Sequence, residues 1–125
     1  MKSKPTHYAV SRAARYVLAF PERLQVDHAD ERRRMRAVLS EHGRMVHVAA
    51  LREIARPSPS WPEVGALVGC AHSTAMADWE RWSVMPWRDR ANWLDLLERV
   101  ADTLAEHDEE RKAKHGANVD VRTSD

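Results

Sequence analysis

Three consecutive side chains near the middle of the chain, His72, Ser73 and Thr74, carry imidazole and hydroxyl groups that can form hydrogen bonds with the edges of nucleic-acid bases. They come after a glycine turn and the small residue Ala71, so a large ligand could approach them closely. Cys70 and His72 are two positions apart and would point away from each other on a helix. This spacing argues against a thiolate–imidazole pair, and we do not expect the protein to be an enzyme.

The histidines and the single cysteine do not have the spacing of metal ligands. The seven histidines lie at positions 7, 28, 42, 47, 72, 107 and 115, and none of them forms an H-x-x-x-H pair. Cys70 and His72 alone cannot complete a tetrahedral site. We therefore expect neither a metal ion nor another cofactor.

A run of arginines between residues 32 and 36 indicates a second kind of chemistry, attachment to phosphate. Arg32 and Arg36 lie one helical turn apart with Arg33 beside them, so the three would form a ridge on one side of a helix. Arg44 and Arg56 are further candidates for phosphate contact. The alternative is that these arginines form a solvated face or pair with acidic residues.

Charge is unevenly distributed along the 125 residues, although the net charge is only +1. Residues 1–56 carry twelve Lys and Arg against six Asp and Glu, whereas residues 86–125 carry seven against ten. A basic half beside an acidic half would draw a polyanion to one side of the protein. The acidic C-terminal half is a candidate surface for a protein partner.

Apolar residues recur at helical spacing along the chain, and strand signals are scarce, which predicts an all-α protein of about six helices. We expect a first helix over residues 8–20, ending before Pro21. A second is expected to stop at Gly43, and a third to cover 44–56.

Residues 60–82 are predicted to form a helix-turn-helix. Ser60 and Glu63 have the spacing of a capping box and would start a short helix that ends at Gly69. In such a motif the second helix enters the major groove of duplex DNA, and its first residues contact base edges. Arg81, farther along the second helix, is a further candidate for contact with DNA.

The last helix is expected at about 87–114. Residues 1–114 are interpreted as a single helical domain and residues 115–125 as a disordered tail. A broad apolar stripe along this helix indicates a homodimer; the stripe consists of Trp93, Leu97, Val100 and Leu104, widened by Leu96 and Ala101. The alternative is that the stripe closes the core of the monomer.

Four tryptophans, Trp79, Trp82, Trp87 and Trp93, are close in sequence and follow helical spacing. We interpret them as a core between the second helix of the motif and the last helix. Stacking on single-stranded bases is the alternative.

The segment from Trp61 to Thr74, WPEVGALVGCAHST, resembles the signature of the C-terminal DNA-binding domain of the bacterial replication initiator DnaA. That domain belongs to the Trp-repressor-like class of helix-turn-helix. The resemblance implies that His72 and Ser73 contact bases and that Thr74 lies near the DNA backbone. It also implies that Trp61 and Pro62 make apolar contacts near thymine methyl groups.

This sequence departs from the family where the family has an Arg-Asp pair, because Cys70 and Ala71 occupy those positions. Asp78 and Glu80 would add negative charge to the second helix. Both departures predict a target site that differs from the family's or is read more loosely. The chain also lacks the glycine-rich phosphate loop of an ATPase.

Together these features predict a small protein that binds double-stranded DNA, a regulator of transcription or replication, of the kind that phages also carry. One alternative is an adaptor that kept the fold but lost DNA binding, and another is the small subunit of a DNA-packaging machine. No apolar run approaches the ~20 residues of a membrane span. Residues 1–10 do not resemble a secretory signal. We therefore expect a cytoplasmic protein with no contact with a membrane.

Overall fold

A computed structural model describes residues 6–23 and 26–123, with the side chains of these residues as far as position 111. The described part is helical and contains no strand, which confirms the all-α prediction. It has five α-helices rather than about six, and a short 3-10 helix at Pro21–Arg23. The α-helices are α1 (His7–Ala19), α2 (Ala29–Glu53), α3 (Trp61–Val68), α4 (His72–Ser83) and α5 (Trp87–Thr123).

The count is lower because the second and third predicted helices are one helix, α2. Gly43 does not end it; the chain is kinked at His42, where φ is −139° and ψ is 41°, and the helix then continues. A side chain at Gly43 would lie 2.7 Å from the Cδ2 atom of Leu18 in α1. The glycine thus permits α1 and α2 to approach closely. Burial of residues 45–51 then favours continuation of the helix over an end at Gly43.

The C-terminal half of α2 is the centre of the core. Every residue from Met45 to Leu51 is buried, and α2 packs against α1, α3, α4 and α5. Val10 and Val17 cover it from α1, and Val64 covers it from α3. Because this half of α2 is enclosed by the other helices, it sets their positions around it.

The apolar stripe of α5 is used largely within the monomer. Trp93 and Leu97 are only 1% exposed, and Val100 and Leu104 are half-buried. Trp93 and Leu97 are therefore not available as a dimer surface, contrary to the interpretation of this stripe, because α1 and α2 already cover this helix. The homodimer itself stays a prediction.

The helix α5 also continues beyond the end predicted near residue 114. Its backbone is helical as far as Thr123. The tail predicted to be disordered, 115–125, is therefore helical over 115–123, and its last two residues lie outside the described part of the chain. Residues 115–123 contain no proline that would stop the helix. Their one glycine, Gly116, costs only about 1 kcal/mol of helix stability relative to alanine.

A buried polar pair joins α1 to α2. The Oγ atom of Ser11 and the Nε2 atom of His47 are 2.6 Å apart and share a hydrogen bond, and both side chains are buried. Burial of the imidazole, together with the positive charge of Arg15, lowers the pKa of His47 from 6.5 to about 4. His47 is therefore neutral at pH 7, and its protonation opposes folding.

We expect this histidine to make the protein less stable in mild acid. The unfolded chain takes up a proton at His47 near pH 6.5, whereas the folded chain does so only near pH 4. The contribution is complete above pH 6.5 and is lost as the pH falls from 6.5 to 4, by about 3 kcal/mol in the free energy of unfolding. Urea unfolding at a series of pH values measures this loss.

His47→Gln removes the titrating ring but keeps a polar side chain. The free energy of unfolding should therefore fall much less between pH 6.5 and 4 in this variant. The matched control is His42→Gln, because His42 is exposed on the same helix. That control should keep the pH dependence of the original protein. An equal pH dependence in the original protein and His47→Gln would contradict the prediction.

Candidate functional site

The helix α3 begins at a complete capping box. The backbone N–H of Glu63 donates to the Ser60 Oγ atom at 3.3 Å, and the backbone N–H of Ser60 donates to the Glu63 Oε1 atom at 3.2 Å. The Ser60 hydroxyl also donates to this carboxylate, and these bonds lower the pKa of Glu63 below its ordinary value. Local chemistry thus sets the start of α3, as the spacing predicts.

Two glycines make the turn between α3 and α4 tight. Gly69 ends α3 with φ at +90°, a conformation that side chains disfavour. Gly65 lies beneath the turn, and a Cβ atom there would be 2.6 Å from the carbonyl oxygen of Cys70 and 3.2 Å from the backbone nitrogen of His72. The absence of a side chain at Gly65 therefore allows the first residue of α4 to pack directly onto α3.

The N-terminal end of α4 is open. Its N-cap residue is Ala71, and no side chain accepts a hydrogen bond from the first turn there. His72 and Ser73 are exposed, whereas Thr74 is half-buried. Of these three predicted contact residues, His72 and Ser73 are thus fully available to a ligand, beside backbone N–H groups that carry partial positive charge.

Seven residues of α4 are exposed, and five of them lie along one stripe, which we call its outer face; the other two, Arg81 and Ser83, lie in its last turn. The outer face consists of His72, Ser73, Met76, Ala77 and Glu80. The opposite side buries Ala75, Asp78 and Trp82 against the rest of the protein. The sequence reasoning missed Met76 and Ala77, although each lies four positions after a predicted base contact, the spacing that places side chains on one helix face.

Asp78 does not add negative charge to the outer face, contrary to expectation. Its carboxylate is 2% exposed and accepts hydrogen bonds from Arg44 Nε at 2.6 Å and from Arg81 Nη1 at 3.3 Å. The bond to this carboxylate, and then its charge, raise the pKa of Arg44. Sequence alone gave no sign of the pair, because Arg44 precedes Asp78 by 34 positions.

Arg44 and Arg81 keep about half of their side-chain surface exposed while they hold Asp78. Arg81 lies nine positions after His72 on α4, roughly 13 Å along the helix. It is therefore not grouped with the exposed residues at the start of α4. Both guanidinium groups can still donate their remaining N–H groups to another acceptor.

Trp61 and Pro62, at the start of α3, differ in exposure. The Trp61 ring is half-buried: the guanidinium carbon of Arg52 lies 4.5 Å from its centroid, and the Trp79 ring packs edge-on at 6.4 Å. Pro62 is exposed. Trp61 thus anchors α3 to α2 and α4 and offers a ligand only part of its surface.

The remaining arginines are not gathered around α4. Arg33 and Arg36 are exposed and Arg32 is half-buried, in the N-terminal half of α2, about 12–18 Å of helix from Arg44. Arg34, in the same run, pairs with Asp89 of α5 at 3.7 Å. Arg56 donates to the carbonyl oxygen of Ala55 at 2.7 Å, within the loop before α3.

Comparison with known proteins adds no relative: no protein-family model, curated protein or solved structure matches this chain. Across the described residues, no three His, Cys, Asp or Glu side chains are grouped so that they could hold a metal ion. Over the same residues, every helix is too short or too polar to cross a membrane. The described part of the chain is all helical, and the start of α4 presents exposed polar side chains at a helix end that no side chain caps.

Proposed function

We propose that this protein binds double-stranded DNA as a helix-turn-helix protein, with α3 bracing α4 and α4 reading the major groove. The observation that carries the proposal is the open N-terminal end of α4, where His72 and Ser73 are exposed beside a helix end that no side chain caps. A recognition helix requires this arrangement, because its first residues must reach base edges while its backbone N–H groups face phosphate.

Electrostatics support the proposal. Asp78 is neutralised by Arg44 and Arg81, so that Glu80 is the acidic residue of α4 that remains exposed. The two half-exposed guanidinium groups are available to phosphate. Arg33 and Arg36 on α2 add positive charge that would attract DNA over a longer range.

The resemblance to the DNA-binding domain of DnaA leads to the same proposal for His72 and Ser73. A regulator of transcription or replication is the role that a small protein of this kind would have. The same proposal includes a homodimer, since one helix-turn-helix contacts few base pairs. It also includes a partner protein bound through the acidic C-terminal half.

The decisive experiment selects duplexes from a random pool with the purified protein and measures affinity for the selected site and for a scrambled duplex. The affinity should fall steeply between 50 and 200 mM salt, with a slope in log units of about −0.9 per phosphate contact. Replacement of His72 and Ser73 by alanine should reduce the preference for the selected site at least about tenfold, since one base contact is worth about 1–3 kcal/mol.

The matched control removes the same residue types elsewhere: Ser83→Ala, at the other end of α4, combined with His107→Ala on α5. Both residues are exposed, and the control should keep the original preference. Absence of salt-dependent binding to any duplex would contradict the proposed function. Unchanged preference in the His72/Ser73 variant would contradict the proposed site.

A further inference from the structure

The second turn of α4 presents apolar surface on the outer face. Met76 is 43% exposed, and Ala77 beside it is exposed as well. A methionine side chain in the core would be covered, but here Ala75, Asp78 and Trp82 occupy the buried side of the same helix. Met76 and Ala77 therefore add little to the core of the protein, and their exposed surface is available to a ligand.

The position of these two side chains places them directly after the exposed polar pair. Met76 follows His72, and Ala77 follows Ser73, each by four residues and about 6 Å along the helix. A helix that enters the major groove contacts bases with three or four side chains over its first turns. If His72 and Ser73 contact bases, Met76 and Ala77 lie against the next ones.

The chemistry of this stretch favours one base. No Lys or Arg occurs between residues 72 and 80, and the Arg81 guanidinium donates to Asp78, so the first two turns of α4 have no side chain for the bidentate contact with guanine that Lys and Arg make. Apolar side chains instead meet the C5-methyl group of thymine, which is the apolar group that the major groove displays. The thioether of Met76 is flexible and polarizable and adapts to such a surface.

We infer that Met76 and Ala77 read thymine methyl groups, and that the target duplex carries thymines opposite the second turn of α4. This inference rests on the proposed function and adds the base that the site selects. The buried state of Asp78 contributes to it, because its carboxylate is held by Arg44 and Arg81 and adds no exposed negative charge directly beside Ala77.

Substitution of deoxyuridine for thymidine at each position of the selected duplex tests the inference, because uracil pairs as thymine does and lacks only the methyl group. Fluorescence anisotropy should show a loss of affinity of about fourfold per methyl group removed at one or two positions. In Met76→Ala, the same replacement should have a smaller effect or none. The control Val84→Ala alters an exposed apolar residue at the far end of α4 and should keep the full effect.

The possible failures are distinct. Salt-dependent binding to duplex DNA with no effect of deoxyuridine at any position would overturn the inference and leave the proposed function intact. An equal deoxyuridine effect in the original protein and in Met76→Ala would also overturn it, because the methyl contact would then lie elsewhere. Absence of salt-dependent duplex binding would overturn the proposed function together with the inference.

Discussion

Trp82→Ala is expected to lower the free energy of unfolding by about 3–5 kcal/mol, a large part of the total stability of a domain this size. The Trp82 ring is fully buried where α4 packs on α2, and its Nε1 atom donates to the Glu53 Oε2 atom at 3.1 Å. The substitution leaves a cavity in the core and removes the partner of Glu53. Urea unfolding followed by circular dichroism measures the loss.

Trp87→Ala is the matched control, since it removes the same side chain from a position five residues later. Trp87 is 71% exposed and lies at the start of α5, where the guanidinium carbon of Arg88 is 5.9 Å from the ring centroid. We expect the free energy of unfolding of Trp87→Ala to stay within about 0.5 kcal/mol of the original value. Similar losses for the two variants would contradict the burial that separates these tryptophans.

Gly65→Ala is expected to destabilise the protein by about 3 kcal/mol. The new Cβ atom would lie 2.6 Å from the Cys70 carbonyl oxygen, which is a backbone atom that cannot rotate away as a side chain can. Relief of this clash must move the turn and the first residue of α4. Thermal and urea unfolding measure the loss of stability, and DNA affinity should fall with it under the proposed function.

Gly69→Ala separates steric overlap from backbone strain. Nothing lies within 4 Å of a Cβ atom at Gly69, so the cost there comes only from the φ of +90°. We expect a loss of about 1 kcal/mol for alanine in this conformation. A larger loss at Gly69 than at Gly65 would show that the close approach of α3 and α4 does not limit the turn.

Features with local causes could be predicted from the sequence. The start of α3 follows from Ser60 and Glu63, which bond to each other three residues apart, and its end follows from Gly69. The first helix, expected over 8–20, is found at His7–Ala19, because Pro21 stops it and Thr6 caps it. The exposure of His72 and Ser73 was also predictable, since small and polar residues follow a glycine turn.

Features that depend on distant parts of the chain were decided only by the tertiary structure. Gly43 was expected to end a helix, yet its contact with Leu18 and the burial of the residues after it keep α2 continuous through a kink. Trp82 and Trp87 have the same side chain and were assigned to the same core, and only the packing of α4 on α2 buries the first and leaves the second in solvent.

The charge of the candidate site shows most clearly which features follow from local sequence and which depend on the tertiary structure. The sequence by itself determined an all-helical chain, a capped helix, a glycine turn and two exposed polar residues, because neighbours within four positions produce each of these. Only the fold brings Arg44 to Asp78, 34 positions away, and turns an expected exposed negative charge into a buried carboxylate that is paired with a half-exposed guanidinium group. Burial and pairing are properties of elements that meet in space, and local sequence carries no record of which elements will meet.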